Sequence, residues 1–128
     1  MMVYTLEQLV KLVETWLTTG ELDVCMLADN FQFISPYWKS SSRAEFIEKF
    51  QNSTIYQNTS LKNIEKFDPI IKLISDDKEH FAIVLQYYTK NGSSVYETVL
   101  GTLKNGLLTE LRSMYDLTET KKALDITG

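Results

Sequence analysis

The chain has 128 residues, 44% of them hydrophobic, a formal net charge of −4 and a sequence pI near 5.0. That length and apolar content suit one domain with a sizeable core. The acidic balance and the lack of a Lys/Arg block exclude the basic stripe that nucleic-acid binders set against phosphates, so no nucleic-acid partner is expected.

The N-terminal stretch MMVYTLEQLV has no basic region followed by an apolar run. Nothing in the chain approaches the ~18 consecutive apolar residues of a membrane span, so no membrane partner is expected. Cys25 is the single cysteine, which rules out an intrachain disulfide and makes the cytoplasm the expected compartment. One cysteine and one histidine, His80, exclude the usual Cys/His zinc sites. A site made of carboxylates alone stays open, but no D-x-D-x-D-G loop argues for one, and no metal or cofactor is expected.

Thr5-Leu6-Glu7-Gln8 has the form of a capping box, in which the Thr5 hydroxyl and the Gln8 side chain satisfy each other's orphan amides. Leu6, Leu9, Val10, Val13, Trp16 and Leu17 then recur at helical spacing along one stripe, and Gly20 ends the helix. A short second helix is expected over Glu21 to Leu27, burying Leu22, Cys25 as an inert core thiol, and Met26. Ala28-Asp29-Asn30 turns the chain into a strand that starts at Phe31-Gln32-Phe33-Ile34 and reaches an end or an edge at Pro36. Ser42-Arg43-Ala44-Glu45 is a second capping box, opening a helix with Phe46, Ile47 and Phe50 on one side. A polar connection runs from Gln51 to Ser60. Extended structure follows from Leu61 to Ile74, interrupted at Asp68-Pro69 because proline cannot donate to a ladder.

Ser75-Asp76-Asp77-Lys78 makes a hairpin into the clearest signal in the chain. From Glu79 to Asp116, three apolar-rich runs are separated by Asn91-Gly92 and Asn105-Gly106. Asn-Gly meets the positive-φ demand of tight hairpins, so the stretch reads as an antiparallel three-stranded meander. The tail from residue 117 to 128 is polar, with little apolar periodicity, and is expected to be loosely held. Residues 1–116 then form one domain. Its helices come mostly before its long antiparallel strands, which makes it an α+β layer with helices packed on one face of a bent sheet.

Several short segments resemble one family. These are Gly20-Glu21-Leu22-Asp23, Leu27-Ala28-Asp29-Asn30-Phe31, Ser42-Arg43-Ala44-Glu45-Phe46, and the closing run from Asn105 to Asp116. Together they resemble the nuclear transport factor 2-like superfamily, within it the SnoaL-like and ketosteroid-isomerase-like branch. The resemblance implies a cystatin-like α+β roll, in which a curved, mixed or antiparallel sheet forms a cone around the N-terminal helices with a pocket inside. Its members include enzymes and non-catalytic binding modules, so the fold does not choose a function.

Ketosteroid isomerases place a general-base aspartate before a proline, a tyrosine on the first helix and a second acid on a late strand. Here the corresponding positions fall at Ser35, near Val13 and near Val99. A serine hydroxyl is no proton-abstracting base near neutral pH unless another base activates it. All three roles are missing, and isomerisation of that type is set aside.

Alternation divides the meander into two faces. His80, Ala82, Val84, Gln86 and Tyr88 share one, and Phe81, Ile83, Leu85 and Tyr87 the other. A two- or four-residue loop at Asn91-Gly92 puts Val95, Glu97 and Val99 beside Gln86 and Tyr88. The resemblance adds Leu111, Ser113 and Tyr115 to that inner face. A three-residue loop at Lys104-Asn105-Gly106 gives this arrangement, whereas a two-residue loop turns Arg112 inward.

Glu97 is the candidate catalytic group, a carboxylate among apolar neighbours whose pKa burial would raise toward general-base range. The structural alternative pairs Glu97 with Arg112 or leaves it at a wet rim. The expected pocket lining is Val13, Trp16, Leu17, Ser35, Tyr37, Trp38, Gln86, Tyr88, Val99, Leu111, Ser113 and Tyr115. Tyr37 and Trp38 point to opposite sides on extended backbone, and line the pocket mouth or simply fill core. His80 opens a strand beside Glu79 after an acidic turn and reads as an exposed strand-end residue, and no nucleophile-elbow motif supports a Ser-His-Asp triad through it.

Two functions follow from these residues. One is a pocket protein for a small, largely apolar ligand, with or without acid–base catalysis, so whether the chain is an enzyme stays open. The other is a non-catalytic binding or association module. In both, the outer sheet face, with Phe81, Ile83, Leu85, Tyr87, Tyr96, Leu100, Leu108 and Met114, is left uncovered and predicts a homodimer.

Overall fold

A computed structural model describes residues 4–52 and 64–123. Helix α1 (Leu6–Thr19) starts at the expected capping box: the Gln8 amide donates to Thr5 Oγ1 at 3.2 Å and the Thr5 amide to Gln8 Oε1 at 2.9 Å. Gly20, at φ 81°, takes the left-handed conformation that ends the helix. Its buried stripe is Leu6, Leu9, Val10, Val13, Trp16 and Leu17.

A single 3-10 turn (Val24–Met26) stands where a second helix was expected. Asp23 explains this, because its Oδ1 accepts from the Cys25 amide at 3.0 Å and closes the turn locally. Met26 is buried but Cys25 is exposed, which corrects its reading as a core thiol. Strand β1 (Leu27–Ile34) begins directly afterwards, so Ala28-Asp29-Asn30 is extended rather than a turn. A two-residue strand β2 (Lys39–Ser40) and helix α2 (Arg43–Asn52) follow. The Ser42 hydroxyl accepts from the Glu45 amide at 3.2 Å. The Glu45 carboxylate accepts from the Ser41 amide instead of closing the box on Ser42. The connection expected over 53–60 and the start of the extended stretch at 61–63 lie outside the described residues.

The remaining strands are β3 (Ile64–Ile74), β4 (His80–Thr89), β5 (Ser94–Lys104) and β6 (Leu107–Met114). β3 continues through Asp68-Pro69 because it lies at the sheet edge and absorbs the proline with an irregularity between Pro69 and Ile71. The six strands form one sheet in the order β2-β1-β6-β5-β4-β3, with β1 and β6 parallel and the other pairs antiparallel. This is the α+β, curved mixed-sheet architecture expected. α1 and α2 pack on one face over a core that includes Trp16, Phe31, Phe33, Phe46, Ile83, Leu85, Val99, Leu108 and Leu111.

Residues 117–123, expected as part of a loose tail, form helix α3 (Leu117–Ala123) with Thr120 and Ala123 buried. Ala123 joins Tyr87 and Val95 in a second apolar cluster on the same sheet face, and its carbonyl accepts from Asn91 Nδ2 at 3.0 Å. Residues 124–128 lie outside the described residues.

The two hairpin loops decide which residues face this core. The β4–β5 loop is Lys90-Asn91-Gly92, closed by the Thr89 amide on the Ser93 carbonyl at 2.8 Å, with Gly92 at φ 87°. Three residues, rather than two or four, pair Leu85 with Glu97 and Ile83 with Val99. Phe81, Ile83, Leu85 and Tyr87 are therefore the inner set, and Gln86 and Tyr88 lie on the outer face; the expected β4 faces are exchanged.

At β5–β6, Lys104 pairs with Leu107 around the two-residue turn Asn105-Gly106. An irregularity next to Thr102 and Leu103 then leaves Thr109 as an extra residue, its hydroxyl donating to the Thr102 carbonyl at 3.2 Å. The extra residue restores the parity expected of a three-residue loop. Leu111 and Ser113 face inward and Arg112 outward, where it bonds Glu110 at 3.1 Å. Leu108, expected outside, is fully buried.

Candidate functional site

Between the main core and the smaller Tyr87/Val95/Ala123 cluster, the inner face of β5 carries one charged residue, Glu97. The apolar stripe of α1 brings Trp16 and Leu17 against it, β1 brings Phe33, and β6 brings Leu111 and Ser113. Ser35 and Trp38, at the turn after β1, and Tyr115, just past β6, complete the lining. The space these residues enclose for the centre of a water molecule is about 20 Å³, enough for one water.

The walls are aromatic and close-packed. Trp16 meets Phe33, Phe46 and Phe50 at centroid distances of 6.2, 5.6 and 6.0 Å, the last two edge-on. Trp38 is half-buried, stacks on Phe46 at 5.4 Å and lies 4.7 Å from Phe33. The turn that presents Trp38 is closed by Ser35: its hydroxyl accepts from the Tyr37 and Trp38 amides at 3.2 and 3.1 Å and donates to the Trp38 carbonyl at 2.9 Å. The Ser35 proton is thus committed within the chain.

Glu97 Oε2 accepts a hydrogen bond from the Ser113 hydroxyl. Burial pushes the Glu97 carboxyl pKa up, and the Ser113 bond only partly opposes it. Tyr115 is pushed up to about 12 by burial and by the nearby Glu97 charge, with a bond to Ser35 pulling the other way. Tyr87 is raised for the same two leading reasons. Among the described residues, no Lys, Arg or His borders the cavity. The Trp16 indole N–H is buried and finds no acceptor among the described residues.

The structure thus brings Trp16, Leu17, Ser35, Trp38, Glu97, Leu111, Ser113 and Tyr115 to one cavity. Val13 and Val99 are fully buried nearby but do not border it. Tyr37 lies outside the lining, with the Lys121 ammonium 5.4 Å from its ring centroid. Gln86 and Tyr88 are on the opposite side of the sheet, where Lys66 covers Tyr88 at 5.8 Å, so their place in the expected pocket is corrected. Phe33 was missed, although its alternation with Phe31 and its place two residues before Ser35 were available as a signal. Glu97 does not pair with Arg112. His80 is exposed and its Nδ1 lies 3.4 Å from Asp77.

Among the described residues, no group of three His, Cys, Asp or Glu side chains could hold a metal ion. No helix among them is long and apolar enough to cross a membrane.

No protein-family model and no curated protein sequence matches this chain. Solved structures do. A protein of unknown function from Cytophaga hutchinsonii, described as NTF2-like, matches with a TM-score of 0.61 at 18% identity over 92% of this chain and 96% of its own. An NTF2-like protein of unknown function from Burkholderia pseudomallei matches with a TM-score of 0.66 at 14% identity, covering 93% and 96%. A hypothetical protein with a ketosteroid isomerase-like fold from Catenulispora acidiphila, solved in complex with trimethylamine, matches at 0.67 and 12% identity, covering 94% of each chain. Identities this low carry the fold alone, and the fold is nuclear transport factor 2-like.

Proposed function

We propose that this chain is a SnoaL-like pocket protein that takes a small, largely apolar ligand at the Glu97 end of its cone, with Glu97 as the proton-exchanging group. The observation that carries this reading is the placement of Glu97. It is a carboxylate on an apolar sheet face, between two hydrophobic clusters, with no Lys, Arg or His among the described residues bordering its cavity. An ionisable group in that setting works against stability, and such groups concentrate where they act on a ligand. Ketosteroid isomerisation is not proposed, because the resemblance puts its three catalytic groups at Ser35, near Val13 and near Val99, where the expected residue types are missing.

The reading is tested on protein purified under native conditions, by mass spectrometry for retained small molecules and by a high-resolution crystal structure of the cavity. A small organic molecule against Glu97 and Trp38 is the expected result. A panel of small apolar compounds that neither binds nor raises Tm would overturn it. So would a Glu97→Gln variant that keeps both ligand affinity and turnover, as far as catalysis is concerned.

The second reading, a dimeric association module, is favoured by the outer sheet face. Leu73, Tyr96, Ile71, Met114 and Leu100 are 61, 58, 45, 45 and 39% exposed there, on β3, β5 and β6. A contiguous apolar surface of this kind marks an interface. A homodimer through this face is compatible with either reading, since the cavity opens on the other side of the sheet. A cytoplasmic setting, where an exposed Cys25 stays reduced, fits both.

A further inference from the structure

Two turns of the sheet carry Asn-Gly, at Asn91-Gly92 and Asn105-Gly106. In such a pair the glycine nitrogen can attack the asparagine side-chain carbon Cγ, because no Cβ on the glycine hinders the approach. Both asparagines are exposed, so access to water does not distinguish them.

Their hydrogen bonds do. In the β4–β5 loop, Asn91 Nδ2 donates to the Ala123 carbonyl of α3 at 3.0 Å. Its Oδ1 accepts from the Ser93 amide at 3.1 Å and from the Thr89 hydroxyl. The nucleophile is held as well, since the Gly92 amide donates to the Thr89 carbonyl at 3.1 Å.

At the β5–β6 turn, neither the Asn105 carboxamide nor the Gly106 amide has a hydrogen-bond partner among the described residues. Asn105 and Gly106 hold φ of 54° and 77° there. The Tyr4 amide donates to the Gly106 carbonyl at 3.1 Å, and that bond engages neither reacting atom.

We propose that Asn105 converts spontaneously to aspartate and isoaspartate in the folded protein, that Asn91 is protected, and that isoaspartate at 105 weakens the tie to Tyr4. The Gly106 nitrogen gives its proton to solvent base and bonds to Asn105 Cγ. The carboxamide C–N bond breaks, and ammonia leaves with a proton taken from water. Water then opens the resulting succinimide. Attack at Cγ gives aspartate, and attack at the main-chain carbonyl gives isoaspartate. The balance is one water consumed and one ammonia released, with no oxidant or reductant.

Either product adds one negative charge to the formal net charge of −4. Isoaspartate also inserts a methylene into the main chain of a two-residue turn. The Gly106 carbonyl then shifts from the Tyr4 amide, beside the Thr5 cap that starts α1.

The full chain is incubated in mildly alkaline buffer, folded and, in parallel, in concentrated urea. Samples digested under acidic conditions are read by mass spectrometry, with electron-transfer fragmentation to separate isoaspartate from aspartate. In urea the two sites should react at comparable rates. In the folded chain Asn105 should convert roughly tenfold or more faster than Asn91, whose hydrogen bonds must break first. Conversion should accelerate with pH, because the Gly106 amide must lose its proton. Asn105→Gln, which closes a larger ring far less readily, should abolish it at that turn. The isoaspartyl form, isolated by ion exchange, should unfold at lower urea than Asn105→Asp, which carries the same charge on an unaltered main chain.

Folded-state conversion of Asn91 as fast as that of Asn105 would overturn the proposal. So would a folded chain in which both sites stay intact while both react in urea, because the turn backbone alone would then protect Asn105. Equal urea midpoints for the isoaspartyl form and Asn105→Asp would overturn the weakened tie.

Discussion

Glu97 of β5 lies directly opposite Leu85 of β4, on the buried side of the sheet, and takes a hydrogen bond from Ser113 one strand over. Leucine across the pair and valine two residues to either side make this an apolar row. The carboxyl group is therefore held neutral to higher pH than one in water, and the consequence is measurable in folding.

A carboxyl whose folded pKa is raised binds its proton more tightly in the native state than in the unfolded chain. Its contribution to stability is complete below the unfolded value of about 4.3 and is lost as pH rises toward the raised folded value. Within that window each pH unit costs about 1.4 kcal/mol. Urea unfolding across a pH series should show Glu97→Gln gaining on the natural chain with rising pH. Parallel stability curves for the two proteins would contradict the burial of a neutral carboxyl.

Gly101 and Phe81 form a matched pair across β4 and β5. A Cβ at position 101 would stand 2.1 Å from Phe81 Cζ, inside a ring that is itself buried. Gly101→Ala should destabilise by about 1–3 kcal/mol through overpacking. Adding Phe81→Leu should cost less in the alanine background than alone, as a double-mutant cycle by chemical denaturation reads directly. Additive costs would mean that the ring is not what the glycine accommodates.

Trp38 borders the cavity and is only partly buried. Trp38→Ala should cost about 2–4 kcal/mol, at or below the range for fully buried tryptophans. It should also admit ring-sized apolar ligands that the natural chain takes weakly, raising their affinity in a ¹H–¹⁵N titration. A variant that loses stability without gaining affinity would place the ligand entrance elsewhere.

The outer face supplies the test of assembly. Light scattering coupled to size exclusion should give a dimer at micromolar concentration, and Tyr96→Lys with Leu73→Lys should give a folded monomer. Lysines there meet solvent in the monomer, so circular dichroism should be unchanged. A natural chain that runs as a monomer rejects the dimer outright.

Deleting Thr109 probes the β5–β6 bulge. Thr109 is the residue without a partner on β5, so its removal leaves the pairs Leu103–Leu108, Thr102–Glu110, Leu100–Arg112 and Val99–Ser113 in place, with Arg112 outside and Ser113 inside. We expect a folded variant that keeps a cooperative transition by circular dichroism. Loss of that transition would show that the bulge does more than set the register.

Local chemistry determined much of this protein in advance. Thr5 and Gln8 cap α1 whatever lies around them, Gly20 and the two Asn-Gly turns satisfy positive φ, and the apolar stripe of α1 can only be buried. Those features order the helices and hairpins, and with them the α+β roll. What only the tertiary structure decided was which way each strand faces. Side chains alternate with a period of two, so a single loop or bulge residue reverses an entire face. Lys90 as a third loop residue put Phe81, Ile83, Leu85 and Tyr87 inside in place of Gln86 and Tyr88. Thr109 as a bulge kept Ser113 in and Arg112 out. Both are choices between near-equal local geometries, settled by which arrangement buries the larger apolar set. That is why Glu97 was visible as a candidate in the sequence, while the neighbours that set its chemistry were not.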